Sequence, residues 1–348
     1  MSPPGKESPS FMEEAVYSHL GSRSPKVKVG PGRGLDNSVI SVGNGRVMLV
    51  TTDPVSVVPQ FGPELSGWLS VHLIASDLTS SGVDPEFAVF SYNFPQAMTP
   101  AERKGYVRAI GAECQRLGIA IAAGHTGSYP GGGYTVIGSG TMIGFAEAGR
   151  YVTPAMAKVG DRILMTKHAA IEAAASLAFS FPEYVERKVG AGAAGRARSL
   201  VNLCTTVGDA RAARKAGLGA HGVTAMHDAT EGGVLGALDE MAGASRKAFE
   251  VDADEVPVSS EAAAVCGAFR IDPLATMGEG ALLVTCRPGA VDGVRRRLKD
   301  LGVGVSEIGT VREGAGLRVA RGGRPVRFRP EQDRYWTAYE DATRHGLR

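Results

Sequence analysis

The sequence has no paired cysteines. Its four, Cys114, Cys204, Cys266 and Cys286, stand far apart and form no CxxC, which excludes a disulfide framework and the usual thiolate metal spacings. They read as reduced thiols in or near a core. No apolar run approaches the ~18 residues that a membrane span needs, and the opening "MSPPGKESPSF" has no apolar signal core. A soluble, cytoplasmic protein without a membrane partner is therefore expected. A charge excess of one sign is also missing: the formal net charge is +2 and no long basic stripe runs along the chain, so no nucleic-acid partner is expected. The local cluster "RGGRPVRFR" at 321–329 reads as a solvated hairpin.

The standard nucleotide and hydrolase motifs are absent as well. No GxxxxGKS or GxxxxGKT occurs, so a P-loop is excluded. "GAGAAG" at 190–195 matches GxGxxG by letter, but it follows the charged, helical "PEYVERKV" rather than a strand, so the Rossmann context is missing. Neither GxSxG nor HExxH appears, and His221, His227 and Asp228 fit no common zinc spacing.

What is present is an ordinary globular composition over 348 residues, 43% apolar and 21% charged, with 47 glycines at turns between apolar runs. That length suits about two domains of roughly 100–200 residues. Residues 1–25 are rich in Pro, Ser and Gly and read as a flexible N-terminal segment. A first domain spans 26–150, a boundary falls near "GRYVTPAMAKVGD", a second domain spans 151–330, and 331–348 form a C-terminal tail. Strand-type runs flank Gly43-Asn44-Gly45, a tight-turn signal. Thr99-Pro100-Ala101-Glu102 reads as a helix start, and Thr230–Met241 as a helix capped by Thr230. The expected class is α/β (α+β), two mixed halves whose helices lie mainly on one face of each sheet.

Chemistry recurs at the ends of apolar segments: Asp36 in "GPGRGLDNSVI", Asp53 at the end of "VMLVTTD", Asp77 in "HLIASDLTSSG", His125 and Thr126 after "IAIAAG", Lys167 and His168 at the end of "RILMTKH", and Asp228, Thr230 and Glu231 at the end of "VTAMHDATE". Taken singly, an Asp after a strand is a cap or turn former, and His72, on an apolar helix face, is a core histidine. Taken together, the acids would repel one another unless a cation joins them, and magnesium takes oxygen ligands and bridges carboxylates to phosphate. The glycines of "GPGRG" and "HTGSYPGGG" let main-chain N–H groups approach phosphates. Lys26, Lys28, Arg33 and Lys167 supply positive charge.

The pieces "GLDNSVI", "VTTDPV", "VHLIASDLTSSGVDP", "AGHTG", "MTKHAAIEAAASLA", "MHDATEGGVLGALDEMA" and "IDPLATMGEGALLV", in this order over residues 26–325, resemble the aminoimidazole ribonucleotide synthetase superfamily. Within it the chain looks most like the synthetase-related, hydrogenase-maturation-factor-like group. The resemblance implies a two-domain synthetase-like fold, with the N-terminal sheet domain forming the core of a homodimer and an α/β domain after it. It implies Mg-ATP in a cleft near the dimer interface and a small-molecule substrate. Carried over residue by residue, it gives Asp36, Asp53 and Asp77 as ligands of Mg2+ and ATP. Lys28, Gly34, Gly124 and Thr126 become nucleotide contacts, and His125, Lys167 and Asp228 catalytic groups. Ser76 stands where the family has Asn, no cysteine follows Cys286, and "KVKVGPGRG" lacks the reactive Cys or selenocysteine of selenophosphate synthetases.

The reading is an ATP-dependent enzyme, ligase- or synthetase-like or a phosphotransferase. It would phosphorylate an amide-type oxygen and so activate it for substitution, cyclisation or dehydration. The alternatives are a small-molecule kinase and a non-catalytic ATP-binding maturation or scaffold protein.

Overall fold

The computed structural model describes residues 4–328 and 333–348 and divides into two compact units. After α1 (Pro9–Phe11), which runs on into a π-helical segment, Met12–Val16, and a 3-10 turn, Tyr17–His19, the chain enters the smaller unit, made of Lys26–Gly30 and Asp36–Tyr151. Its strands are β1 (Val27–Val29), β2 (Ser38–Gly43), β3 (Arg46–Ser56), β4 (Phe87–Phe94), β5 (Ala120–Ser128) and β6 (Val136–Glu147), ordered β1-β2-β3-β6-β4-β5. The Asn44-Gly45 turn closes the β2–β3 hairpin, pairing Ile40 with Met48. Helix α2 (Gly62–Ser80) lies against β3 and β6, and α3 (Pro100–Leu117) packs on α2. α3 starts where the local sequence places it. Thr99 Oγ1 accepts from the Glu102 N–H while the Glu102 carboxylate accepts from the Thr99 N–H, a reciprocal cap. Gly118, left-handed, ends it.

The core of this unit holds Val39, Leu49, Ile74, Leu78, Phe90 and Met142, all out of water. His72 is buried as expected, 2.7 Å from Glu113 Oε1. Strand β5 is different: every residue from Ala120 to Thr126 is exposed, including Ile121 at 47%.

The larger unit comprises Met1–Pro25, Pro31–Leu35 and Val152–Arg348. Its strands are β7 (Arg162–Thr166), β8 (Val223–Asp228), β9 (Ala248–Asp252), β10 (Leu282–Cys286), β11 (Val305–Arg312), β12 (Gly316–Arg321) and β13 (Arg324–Val326), ordered β13-β12-β9-β11-β7-β10-β8. Its helices of seven residues or more are α4 (Ile171–Ser180), α5 (Pro182–Val189), α6 (Ala191–Ser199), α7 (Val207–Ala213), α8 (Gly233–Ser245), α9 (Ser260–Phe269), α10 (Val291–Lys299) and α11 (Arg334–Arg344).

Here the expectation of helices on one face is corrected. Ile163, Met165, Ala225 and Leu283 pack towards α8, while Leu164, Met226, Leu282 and Val284 pack with α7 and α10 residues on the other side. The strands "RILMT" and "LLVTC" are continuous apolar runs because both their faces are covered. The basic hairpin forms between β12 and β13; Arg329 of that cluster lies outside the described residues. The closing segment, read as a tail, carries α11 with Tyr335 only 4% exposed and bonded to Ser176 Oγ at 2.6 Å. Among the described residues no helix is long and apolar enough to cross a membrane.

Candidate functional site

Asp77 sits in the last turns of α2 and is 9% exposed. Thr51 of β3 donates its hydroxyl to Asp77 Oδ2 at 3.2 Å. Asn37, buried before β2, donates Nδ2–H to the Asp77 carbonyl at 2.7 Å. Ser80, one turn further along α2, lies 2.6 Å from that carbonyl and 3.3 Å from Asp36 Oδ2. Its single hydroxyl proton serves one of them at a time. Ser80 thus ties the Asp36 carboxylate to the main chain of Asp77, whose own carboxylate is held by Thr51. Asp53 follows Thr51 by two residues on β3, so strand alternation sets it on the face that Thr51 presents to Asp77, opposite Gly140 of β6.

Other expected contacts have local structural reasons. Lys28 is exposed in the middle of β1, the outer strand. Gly34 is left-handed (φ +70°), and a Cβ there would stand 2.7 Å from the Glu240 carbonyl, so a side chain would push α8 away. At Gly124 a Cβ would stand 2.5 Å from the Phe90 carbonyl across the parallel β4–β5 pair. His125 and Thr126, read as following a strand, are inside one: β5 continues to Ser128 because Ser91, Tyr92 and Phe94 of β4 keep pairing with it. His125 is exposed, with Nε2 2.7 Å from Tyr129 Oη and the two rings stacked.

In the larger unit Lys167 follows β7 with φ 55°. Its ammonium donates to Asp209 Oδ2, the Thr205 carbonyl and the Gly280 carbonyl, each at 2.7 Å. Three hydrogens meet three acceptors, so a phosphate contact would require one of them to be given up. Asp209 Oδ2 also accepts from Thr166 Oγ1 at 2.6 Å.

Asp228 ends β8 and is fully buried. His227 Nε2 lies 3.1 Å from Glu240 Oε2 and its Nδ1 3.9 Å from Asp228 Oδ1. Burial works to raise the Glu240 pKa, but Lys6, His227 and Arg33 outweigh it and hold the carboxyl down at about 2. Thr230 does not cap the helix, as the sequence suggested. Helix α8 starts at Gly233 with Gly232 at the cap, left-handed, and the Gly232 N–H donates to Asp333 Oδ2 at 2.9 Å. Two successive glycines take φ values that Thr could not, so the start slides inward. The Thr230 carbonyl instead accepts from the N–H groups of Gly233 and Gly278, at 3.0 and 3.1 Å.

Around this turn stands a group of acids that the sequence reading did not assemble. Burial, then Asp333 and Glu231, push the Glu172 carboxyl up to about 8. Burial likewise raises Glu231 and Asp333. Asn37 and Ser80 were also missed, although Asn37 directly follows Asp36; Asp209 carried no signal at all.

The family model described as "AIR synthase related protein, N-terminal domain" matches residues 34–146, and its "C-terminal domain" counterpart matches 158–321. The chain is 28% identical over 263 residues to the carbamoyl dehydratase HypE of Rhizobium leguminosarum bv. viciae, covering 75% of this chain and 71% of that one. It is 24% identical over 335 residues to the selenide, water dikinase of Haemophilus influenzae, covering 88% and 91%. Among solved structures, E. coli HypE matches with a TM-score of 0.70 at 21% identity over 92% of this chain and 95% of that one. AaThiL complexed with AMPPCP and TMP matches at 0.66 and 21%, over 85% and 90%. HypE in complex with ATP matches at 0.65 and 19%, over 95% and 97%. With its two characteristic domains matched in order over most of its length, the chain belongs to the AIR synthase related protein family.

Proposed function

We propose that the protein is an ATP-dependent enzyme that moves the γ-phosphoryl of ATP to the oxygen of a small amide-type acceptor. ADP leaves, and the phosphorylated oxygen then departs as phosphate during substitution, cyclisation or dehydration. The observation that carries this reading is the chain of contacts in which Ser80 reaches the Asp36 carboxylate and the Asp77 main chain while Thr51 holds the Asp77 carboxylate, with Asp53 on the strand face of Thr51. Their donor atoms are all oxygen, as magnesium requires. Magnesium held by these carboxylates would neutralise phosphate charge. The chain's own work is positioning.

In this reading Asp36, Asp53 and Asp77 hold the metal. Lys28, Gly34, Gly124 and Thr126 flank the nucleotide, and His125, steadied by Tyr129, orients phosphate or moves a proton. Asp228 serves the acceptor, and Lys167 acts by fixing Asp209 and the Gly280 carbonyl. The names of the relatives, a carbamoyl dehydratase and a dikinase, and the ATP and AMPPCP complexes with this fold support an ATP reaction. The exposed β5, with Ile121 at 47%, supports burial of residues 26–150 against a second copy in a homodimer.

The test is to incubate purified protein with Mg-ATP and amide, carbamoyl and thiocarboxamide compounds and to follow ADP and phosphate. Acceptor-dependent release of both supports the reading. A stable phosphorylated product makes the protein a kinase. Bound ATP with no ADP from any acceptor leaves a scaffold and refutes catalysis.

A further inference from the structure

The segment before α1 is seated on the turn that precedes α8, more than two hundred residues away. The Lys6 main-chain N–H donates to Glu231 Oε1 at 2.9 Å. The Lys6 ammonium donates to Thr230 Oγ1 at 3.1 Å and lies 3.9 Å from Glu240 Oε1. Gly5 packs against the Glu231 carboxylate and the Trp336 indole, leaving no room for a Cβ. Directly after it, Ser8 Oγ accepts from the Phe11 N–H and starts α1, so the chain leaves the turn along a defined path. Further along, Arg33 pairs with Asp239 of α8 at 2.6 Å.

We propose that Gly5–Lys6 is an autoinhibitory strap that closes the Thr230–Gly233 turn by imitating the acceptor. This rests on the proposed amide-type activity. A main-chain amide N–H occupies the Glu231 carboxylate, and a second N–H donor occupies the Thr230 hydroxyl. Those are the two groups that the N–H donors of an amide acceptor would engage beside Asp228. The Lys6 side chain is 56% exposed, and exposed ion pairs and single hydrogen bonds hold weakly. The strap therefore exchanges for an acceptor rather than sealing the site. Glu231 is the recognition group for the acceptor N–H, and Lys6 is its internal competitor.

The experiment uses the full chain in a Trp68→Phe background, so that Trp336 alone reports, since the sequence has two tryptophans. Lys6→Glu sets like charges against Glu231 and Glu240 and should open the strap. Acrylamide quenching of Trp336 is expected to rise about two- to fivefold, the range that weak exposed contacts allow. With an amide, carbamoyl or thiocarboxamide acceptor that yields ADP, the apparent KM for that acceptor should fall by a similar factor, and Lys6→Arg should stay near the parent in both. Unchanged quenching would show that Lys6 does not hold the segment down, and the strap would be refuted. Higher quenching with lower ADP release would make Lys6 a helper of the reaction and overturn inhibition. Higher quenching with no ADP from any variant would remove the proposed activity, and the inhibitory role with it.

Discussion

Lys167 Nζ lies 2.7 Å from Asp209 Oδ2, with the two side chains only 10% and 5% exposed. An ion pair so withdrawn from water is costly to break from one side, because the remaining charge has neither solvent nor partner. Lys167→Ala should therefore destabilise the larger unit by about 3 kcal/mol or more, read as a drop in the urea midpoint. Asp209→Asn should do similar damage, and the two should not add. If Lys167→Ala unfolds like the parent yet loses ADP formation, the side chain works on phosphate instead.

Asp53→Asn and Asp77→Asn remove a charge from the proposed metal seat while keeping shape. Mg-ATP affinity by calorimetry should fall about tenfold or more for each, since charge-assisted ligation is worth more than ~1.4 kcal/mol. Asp77→Asn has a structural cost too, as Thr51 donates to the carboxylate; its effect on the melting temperature is the control. Unchanged affinity in Asp53→Asn takes that residue out of the site.

His125→Ala should lower turnover by about a hundredfold if the imidazole moves a proton and should leave ATP affinity nearly intact. Tyr129→Phe loses only the hydroxyl at 2.7 Å from Nε2 and should give a milder loss of turnover. A fully active His125→Ala would end its role.

The acids near α8 give stability a definite slope with pH. Glu172 is held at about 8 by burial and by the neighbouring Asp333 and Glu231. Its folded pKa is above the unfolded value, so the native state binds the extra proton. Stability is fully present below about pH 4.3, the ordinary Glu pKa, and falls as pH rises towards 8. Glu172→Gln should flatten this fall and raise stability at pH 8 by on the order of 1–3 kcal/mol. Urea titrations at pH 5, 6.5 and 8 measure it; parallel curves for parent and variant would show that Glu172 ionises normally.

Much of the fold was legible because its signals are local. The Thr99–Glu102 cap, the Asn44-Gly45 hairpin and the buried run of β8 each depend on residues within one turn or one strand. The start of α8 was misplaced by three residues for the same reason. Thr230 is a good cap by type, but Gly232 and Gly233 and the distant Asp333 decided the geometry. The coverage of both faces of the second sheet was written in the unbroken apolar runs of β7 and β10, a signal that the expectation of helices on one face overlooked.

The order of motifs, the element types and the acids at segment ends belong to the sequence alone, because periodicity and turn chemistry act between residues a few positions apart. Which side chains meet was decided by tertiary structure. Asp209 reaches Lys167 across 42 residues, Ser80 reaches Asp36 across 44, and Lys6 reaches Thr230 across 224. Such meetings depend on closing long loops and packing helices on sheets, and no local pattern in the chain records which partner a charge or hydroxyl will find.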